Sequence, residues 1–297
     1  MQTITVLRSL LLSDFPSGSA INYHKGKLYL VGDDANRVLV LDGNYRQTDT
    51  IQLFDHPEKR IPKAVKPDYE AAAIIEAGGQ SQLLIIGSAS RKEREISVLI
   101  PLPVSGSGFQ EPKAFSTAAF TARMLHAGIP EINIEGATAI GDRLLLANRG
   151  NHTHTQNYLL ITAQDYWARQ QHAPLHIISL DLAGIADGFM GVSGLCYIAA
   201  KDLLLITLTM EATTNAYDDG VIGDSYIMWV SDFSGRLSMP SLKPDGWINL
   251  PQADDRFKGQ KIEGLCMEPS AWPELLLHLA ADNDQGQTYL FSCLLHL

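Results

Sequence analysis

The sequence predicts an all-β protein, a β-propeller with five blades. Three observations support this prediction: a two-strand pattern recurs five times, its copies are evenly spaced, and the two ends of the chain complement each other. In each copy a Ser or Glu beside a small residue leads into an apolar run, a turn and a second apolar run. The positions that begin the copies lie 51 to 70 residues apart and are Ser19, Glu70, Glu135, Ser193 and Glu263. Repeats of this length are typical of four-stranded propeller blades.

Each copy contains the elements of one blade in order. The two apolar runs are separated by turn formers such as HKGK, AGGQ and IGDR, which favours antiparallel pairing. A third strand follows in every copy, in the segments RVLVLD, EISVLIPL, NYLLIT, SYIMWVSD and TYLFSCLL. A fourth follows in four copies, for instance in DTIQLF, PLHIISLDL and GWINLP.

The last copy reaches Leu297 after its third strand. The segment TITVLRSLLL, from Thr3 to Leu12, supplies the missing outer strand, so that the ring closes and leaves no dangling edge. We therefore predict one propeller domain over residues 1–297, closed by its N-terminal strand, with six blades as the alternative count.

Composition narrows the classes of partner. The net charge of −10 argues against nucleic acid and anionic membranes as partners and is compatible with a bound cation. The first residues have neither the charged start nor the cleavage site of a signal peptide, and no apolar run reaches the length of a membrane span. As it stands the sequence predicts a cytoplasmic protein, or a periplasmic or secreted one if a leader has been removed. The oligomeric state stays open.

The segments between the repeats, and the cysteines, are interpreted as structural rather than functional features. The connector HPEKRIPKAVKPD, residues 56–68, and the mixed charged run at 91–95 are typical of solvated loops. The stretch from Thr117 to His126 favours a short helix on the outside of the second blade. Three cysteines, Cys196, Cys266 and Cys293, are interpreted as small core residues rather than as a disulfide or a metal site.

The innermost strand of each blade lines the central channel, so the repeated position points to one axis. Glu70, Glu135 and Glu263 then share a ring with Ser19 and Ser193. Three carboxylates that converge in a partly desolvated tunnel repel one another unless a cation lies between them. Calcium suits an irregular site with several oxygen ligands better than magnesium does. The alternative is that each Glu is a solvated polar start to its strand.

The order Ser, Glu, Glu, Ser, Glu over the five inner strands resembles the calcium-activated nucleotidases, or apyrase family. Two further segments support the likeness. GKLYLVGDD, from Gly26 to Asp34, resembles a strand of that family that ends in paired Asp residues, and SYIMWVSDFSGRLSMP followed by KIEGL resembles its closing segment. The resemblance implies a five-bladed propeller whose central calcium is held by Ser19, Glu70, Glu135, Ser193 and Glu263. It also implies hydrolysis of nucleoside di- and triphosphates.

The resemblance assigns further roles to residues at the ends of the second strands. Phosphoanhydride hydrolysis requires a cation, a base and a basic clamp. Asp33 or Asp34 is the candidate base, Arg149 the clamp that binds phosphate in a bidentate way, and Glu211 a second carboxylate. The candidate substrate-binding residues are Arg91, Lys92, Asn148, Asp282 and Asp284.

Three functions remain open from the sequence. The first is a calcium-dependent phosphohydrolase that acts on a nucleotide or a related small phosphate compound. The second is a non-catalytic propeller in which calcium ties the blades together and a ligand or protein binds. The third is a calcium-free lactonase or sugar-binding propeller, since Glu-Gly inner strands also resemble the phytase-like and esterase-like propellers. Under the first, substitution of Arg149 by Ala is expected to abolish turnover and to leave stability almost unchanged.

Overall fold

The paired apolar runs form antiparallel hairpins because the residues between them adopt the backbone that a tight turn needs. Lys25 and Gly26 have φ values of 46° and 81°, and Gly78 and Gly79 have 63° and 75°. Two successive positive φ angles are the signature of the type I′ turn, whose twist matches that of the flanking strands. These turns join the first and second strands of two blades.

The computed structural model describes residues 2–103, 108–211, 222–269, 274–283 and 285–297. The chain begins with β1 (Thr3–Leu12). Blade 1 contains β2 (Gly18–His24), β3 (Lys27–Gly32), β4 (Arg37–Leu41) and β5 (Gln47–Gln52). Blade 2 contains β6 (Tyr69–Ala77), β7 (Gln80–Gly87), β8 (Ile96–Pro101) and β9 (Lys113–Ser116), and α1 (Ala118–His126) follows it. Blade 3 begins with β10 (Ile134–Ile140), β11 (Arg143–Asn148), β12 (Tyr158–Ala163) and β13 (His176–Leu180).

The remaining strands form two more blades. Blade 4 contains β14 (Gly191–Ile198), β15 (Leu203–Glu211), β16 (Ile222–Ser231) and β18 (Gly246–Asn249). The two-residue strand β17 (Ser241–Leu242) precedes β18, and the short helix α2 (Leu250–Ala253) follows it. Blade 5 contains β19 (Lys261–Glu268), β20 (Glu274–Asp282), β21 (Thr288–His296) and β1. The predicted all-β fold with five blades is therefore confirmed, and the alternative of six blades is wrong.

Strand β1 closes the ring as predicted. It pairs antiparallel with β21, from Thr3 opposite His296 to Leu12 opposite Thr288. The predicted helix also forms, as α1, and its Phe120 and Met124 are buried against apolar side chains of blades 2 and 3. Within the described residues no helix is long and apolar enough to cross a membrane.

Blade 3 has a fifth strand that the repeat pattern does not predict. The connection between β16 and β18 of blade 4 sends β17 across to blade 3, where it pairs in parallel with β13. The outer edge of blade 3 is thereby covered by its neighbour, which removes an exposed row of unpaired backbone groups.

The core of the described residues consists of five apolar clusters, each between two neighbouring blades. Blades 4 and 5 share the cluster that includes Leu205, Ile227 and Leu277, and blades 5 and 1 share the one that includes Leu30 and Ala280. The other three clusters lie between blades 1 and 2, 2 and 3, and 3 and 4. Because the two faces of each blade are buried, the strands are apolar on both sides, and the polar groups of the inner strands gather at the axis.

Candidate functional site

Each of the five blades has a β-bulge in its innermost strand. The bulged residue is the repeated Ser or Glu that the sequence places at the axis, and we call it the ring residue of its blade. Between the first and second strands the register shifts across Ser19, Glu70, Glu135, Ser193 and Glu263, and none of these residues has a partner in the second strand. A bulge re-aims the side chain of its extra residue and is common beside functional sites. The five bulges are the reason why one side chain per blade leaves the regular alternation of its strand.

Three of these side chains meet at the axis. Each of Glu70, Glu135 and Glu263 offers a carboxylate oxygen, and these oxygens lie within 4.8 Å of one another. A cavity of about 10 Å³ is lined by the three Glu residues, by Ser19 and by small and aliphatic residues of the inner strands. We call Glu70, Glu135 and Glu263 the axial triad.

The donor set of the axial triad fits a hard divalent cation. Calcium binds oxygen at 2.3–2.6 Å, so two ligands of one ion lie no more than about 5.2 Å apart, and the oxygens of the triad meet this limit. A cavity of about 10 Å³ is the size that holds a single water molecule or ion.

Glycines keep the channel this narrow. Each of the three blades 3, 4 and 5 has a Gly directly after its ring residue, at 136, 194 and 264. A Cβ on Gly194 would lie 2.4 Å from the carbonyl oxygen of Glu263, and one on Gly264 would lie 2.8 Å from the backbone nitrogen of Ile21. Neighbouring inner strands approach too closely for any larger residue, which brings the ring side chains together.

Polar residues two positions before the ring residues contact the axial triad. Asn133 Nδ2 donates to Glu135 Oε1 at 2.7 Å. Lys261 Nζ lies 2.9 Å from Glu263 Oε1 and 3.3 Å from Glu211 Oε2. Glu70 makes no hydrogen bond or ion pair within the part of the chain that the structure describes. Glu70 is thus the member of the triad whose oxygens are available to a ligand.

Arg149, the predicted clamp, lies beside the triad and is buried among carboxylates. Its side chain is 3% exposed, its Nη2 donates to Glu211 Oε2 at 2.8 Å, and its Nη1 lies 3.8 Å from Glu135 Oε2. Nη1 is buried and has no hydrogen-bond partner among the described residues. Gly191 leaves room for this side chain, since a Cβ there would lie 2.3 Å from Arg149 Nε.

A second acidic group shares Glu70 with the triad. Oxygens of Asp33, Asp68 and Glu70 also lie within 4.8 Å of one another. Lys66 forms ion pairs with Asp33 and, at 2.9 Å, with Asp68 Oδ1, and Arg94 Nη1 binds Asp68 Oδ2 at 2.6 Å. The interpretation of the connector 56–68 as a solvated loop is wrong for Lys66 and Asp68, whose side chains are 12% and 6% exposed. It is also wrong for Arg94 within the charged run, because Arg94 is buried and pairs with the buried carboxylate of Asp68.

The other predicted acidic residues lie nearby. Asp34 is buried, and its Oδ2 accepts from Arg60 Nε at 2.7 Å. Asp282 is buried at the end of β20 and is close enough to raise the pKa of both Asp33 and Glu263. The predicted residue Asp284 lies outside the described residues.

The two ring serines act on the backbone of the next blade. Ser19 Oγ donates to the carbonyl of Tyr69 at 2.5 Å, and Ser193 Oγ donates to the carbonyl of Ile262 at 2.6 Å. Tyr69 and Ile262 are the residues before Glu70 and Glu263. Each serine therefore fixes the strand from which a triad member projects.

Burial raises the pKa of the central carboxyls, and their mutual repulsion raises it further. The pKa of Glu70 is well above its ordinary value because of burial and because of Asp68, Asp33 and nearby Glu side chains. Burial likewise raises the pKa of Glu135 and Glu263, although Arg149 and Lys261 oppose the shift.

The pKa values of Asp33 and of the buried cations depend on the same two effects, burial and neighbouring charge. Burial, opposed by Lys66, raises the pKa of Asp33 to about 8. Burial alone would lower the pKa of Lys66, Arg149 and Lys261, but the surrounding carboxylates outweigh it and the pKa of each is raised. The cations stay charged, while the carboxyls lack enough positive charge to ionise together.

Three predicted substrate-binding residues are not brought to the triad by the described contacts. Arg91 and Lys92 are exposed at a short turn after β7. Asn148 is buried, but its Oδ1 accepts from the backbone nitrogen of Asn133 and its Nδ2 donates to the carbonyl of Glu131, so it supports the backbone before Glu135.

Sequence reasoning missed Lys66, Asp68, Lys261 and Asn133 as site residues. A signal for three of them exists. Asp68, Asn133 and Lys261 each stand two positions before a ring Glu, so a polar side chain recurs at one place in three of the repeats.

The fold resembles solved propellers at low sequence identity, and a search of curated proteins gives no match. The glutaminyl cyclase of Myxococcus xanthus aligns with a TM-score of 0.57 and 10% identity over 99% of this chain and 97% of that one. A member of the DUF4221 family from Bacteroides vulgatus aligns with a TM-score of 0.44 and 10% identity over 99% and 98% of the two chains. At 10% identity, the likeness to the glutaminyl cyclase shows the fold alone. The profile of a family described as "Family of unknown function (DUF6929)" matches residues 14–295, and the chain belongs to this family.

Proposed function

We propose that the protein is a calcium-dependent hydrolase of small phosphate compounds, with nucleoside di- and triphosphates as the first class to test. The observation that carries the proposal is the buried Nη1 of Arg149, which has no hydrogen-bond partner among the described residues and lies beside the axial triad. A buried donor without a partner costs about 1–3 kcal/mol. A ligand oxyanion next to a cation on the triad would satisfy it.

Glu70, Glu135 and Glu263 are the residues that would hold the ion. Their hard oxygens and short mutual distances suit calcium, and Glu70 has no competing contact among the described residues. A bound calcium would neutralise phosphate charge and polarise a phosphoryl oxygen.

The chain's own residues supply the other requirements of the reaction. Asp33 has a pKa of about 8, so the fraction that is ionised grows as pH rises above neutral, and this carboxylate can accept a proton from an attacking water. Asp34 is the alternative base, and each of the two carboxylates contacts one cation, Lys66 for Asp33 and Arg60 for Asp34. Arg149 and Lys261 meet at Glu211 and place two positive charges beside the triad for the developing charge on phosphate.

The test is phosphate release from nucleoside di- and triphosphates and simple phosphoesters, with calcium, with magnesium and with chelator. We expect turnover that requires calcium and falls at least tenfold in Asp33→Asn, a change that keeps the side-chain volume. Asp142→Asn is the matched control, because the Asp142 side chain is 97% exposed. Absence of phosphate release from every compound tested would refute the proposed hydrolase activity. If calcium then still raised the melting temperature, the non-catalytic calcium-binding propeller would take its place.

A further inference from the structure

The described residues at the axis form two overlapping groups of carboxylates, and the ammonium of Lys66 contacts one of them. Within the described residues the two groups of carboxyl oxygens, Asp33–Asp68–Glu70 and the axial triad, share Glu70. In two-metal hydrolases a shared carboxylate of this kind lies between ions about 3.5–4 Å apart that together bind one phosphoryl group. The arrangement of carboxylates here follows that pattern.

The Asp33–Asp68–Glu70 group surrounds the ammonium of a lysine side chain. The ammonium of Lys66 contacts Asp33 and lies 2.9 Å from Asp68 Oδ1, so it binds two of the three carboxylates in its group. Glu70, the third, is also within its electrostatic reach. Lys66 comes from the connector before β6, and its side chain is 12% exposed.

In the axial triad, by contrast, the described side-chain cations contact only two of the three carboxylates. Lys261 contacts Glu263, Arg149 approaches Glu135, and neither contacts Glu70. Both cations also bind Glu211 and so lie to one side of the triad. The unpartnered Nη1 of Arg149 is an independent indication that a ligand's anionic group belongs next to the triad.

We infer that Lys66 takes the place of a second metal ion, so that the site works with one metal and one ammonium. The inference rests on the proposed function. A lysine ammonium is a compact point charge with three donors. Two of the donors of Lys66 point to Asp33 and Asp68, and the third has no partner among the described residues and could donate to a substrate oxygen. With a metal held by the axial triad, Lys66 and Arg149 would supply the positive charge for the other oxygens of a bound phosphoryl group.

The experiment counts metal ions bound by the whole chain. Manganese, which binds carboxylates and is visible by its magnetic resonance and anomalous X-ray signals, is titrated into the wild type, Lys66→Met and Lys66→Ser. We expect one ion per chain in the wild type and two in both variants, with the new ion between Asp33, Asp68 and Glu70. Lys66→Arg keeps the charge and is expected to bind one. Lys59→Met removes an exposed lysine from the same connector and is the matched control.

The outcomes separate this inference from the proposed function. One ion in the wild type and one in folded Lys66→Met and Lys66→Ser would overturn the role of Lys66 and leave the axial metal intact. No ion in the wild type and one in the variants would refute the axial metal and support the role of Lys66. No binding in any of these proteins would refute both. If Lys66→Met fails to fold, Lys66→Ser, which leaves space for an ion and its waters, decides the question.

Discussion

The hydroxyl of Ser193 in blade 4 donates a hydrogen bond to the carbonyl oxygen of Ile262 in blade 5, at 2.6 Å. Ile262 precedes Glu263, so the backbone that carries one member of the axial triad is fixed by the ring residue of the preceding blade. Ser19 makes the same contact with Tyr69, the residue before Glu70. Ring positions that carry no carboxylate therefore orient those that do.

Substitution of Ser193 by Ala is expected to weaken metal binding more than it weakens the fold. The lost hydrogen bond contributes about 0.5–1.5 kcal/mol to stability, and Thr209 Oγ1 still donates to the same carbonyl at 3.2 Å. Ser193→Thr keeps the hydroxyl and should restore calcium affinity, whereas Ser9→Ala, on the exposed outer strand, should change nothing. Calcium titration and urea unfolding measure the two effects. Unchanged affinity in Ser193→Ala would show that the contact does not orient Glu263.

Substitution of Arg149 by Met is expected to destabilise the protein by about 3–5 kcal/mol, because it leaves buried carboxylates without their partner. This outcome replaces the expectation from sequence that stability would be almost unchanged, since the Arg149 side chain proves to be 3% exposed and bound to Glu211. The double variant Arg149→Met, Glu211→Gln should recover part of the loss. Arg143→Met, which breaks only a surface contact of 4.0 Å, is the control. Equal urea midpoints for the Arg149 and Arg143 variants would contradict the prediction.

The metal-free protein is expected to lose stability as pH rises from about 4 to about 8. The folded-state pKa of Asp33 is raised from 3.8 to about 8, so the stability that its protonated form contributes is complete below the lower value and disappears as pH passes the higher one. The raised pKa values of Glu70 and Glu263 act in the same direction. A divalent cation binds the ionised form, so calcium should raise the melting temperature more near pH 8.5 than near pH 5. Thermal unfolding with calcium and with chelator at both values tests this. Equal shifts at both would argue against a cation site on these carboxyls.

Gly194→Ala is expected to destabilise the fold by about 1–3 kcal/mol, since overpacking forces backbone shifts. Its Cβ would lie 2.4 Å from the carbonyl oxygen of Glu263, which cannot rotate away. Because that shift displaces a triad member, calcium affinity should fall as well. Gly235→Ala is the control, as a Cβ there would meet no atom within 4 Å and the φ of Gly235 is not in the left-handed region. Denaturant unfolding and calcium titration of the two variants provide the comparison.

The ring and its closure could be predicted because both depend on repetition. Five copies of one pattern give the position of Glu70 or Glu263 within its blade, and the fifth copy, which has three strands, is completed by the apolar segment Thr3–Leu12. Lys66 belongs to a connector that has no counterpart in the other blades, so no pattern distinguishes it from a solvated lysine. Its burial follows from Asp33, which comes from blade 1, and from Asp68 and Glu70 at the start of blade 2, which the folded ring brings together.

The pairing of β1 with β21 also affects how the protein is made. Strand β1 is synthesised before β21, so blade 5 cannot assemble until β21 has also been synthesised. At about 5–20 residues per second, the apolar segment from Thr3 to Leu12 waits roughly 15–60 s for its partner. During that time it is a free, leucine-rich strand that other nascent chains or chaperones can bind. The contact that seals the finished ring is therefore the one that leaves the growing chain most open to aggregation.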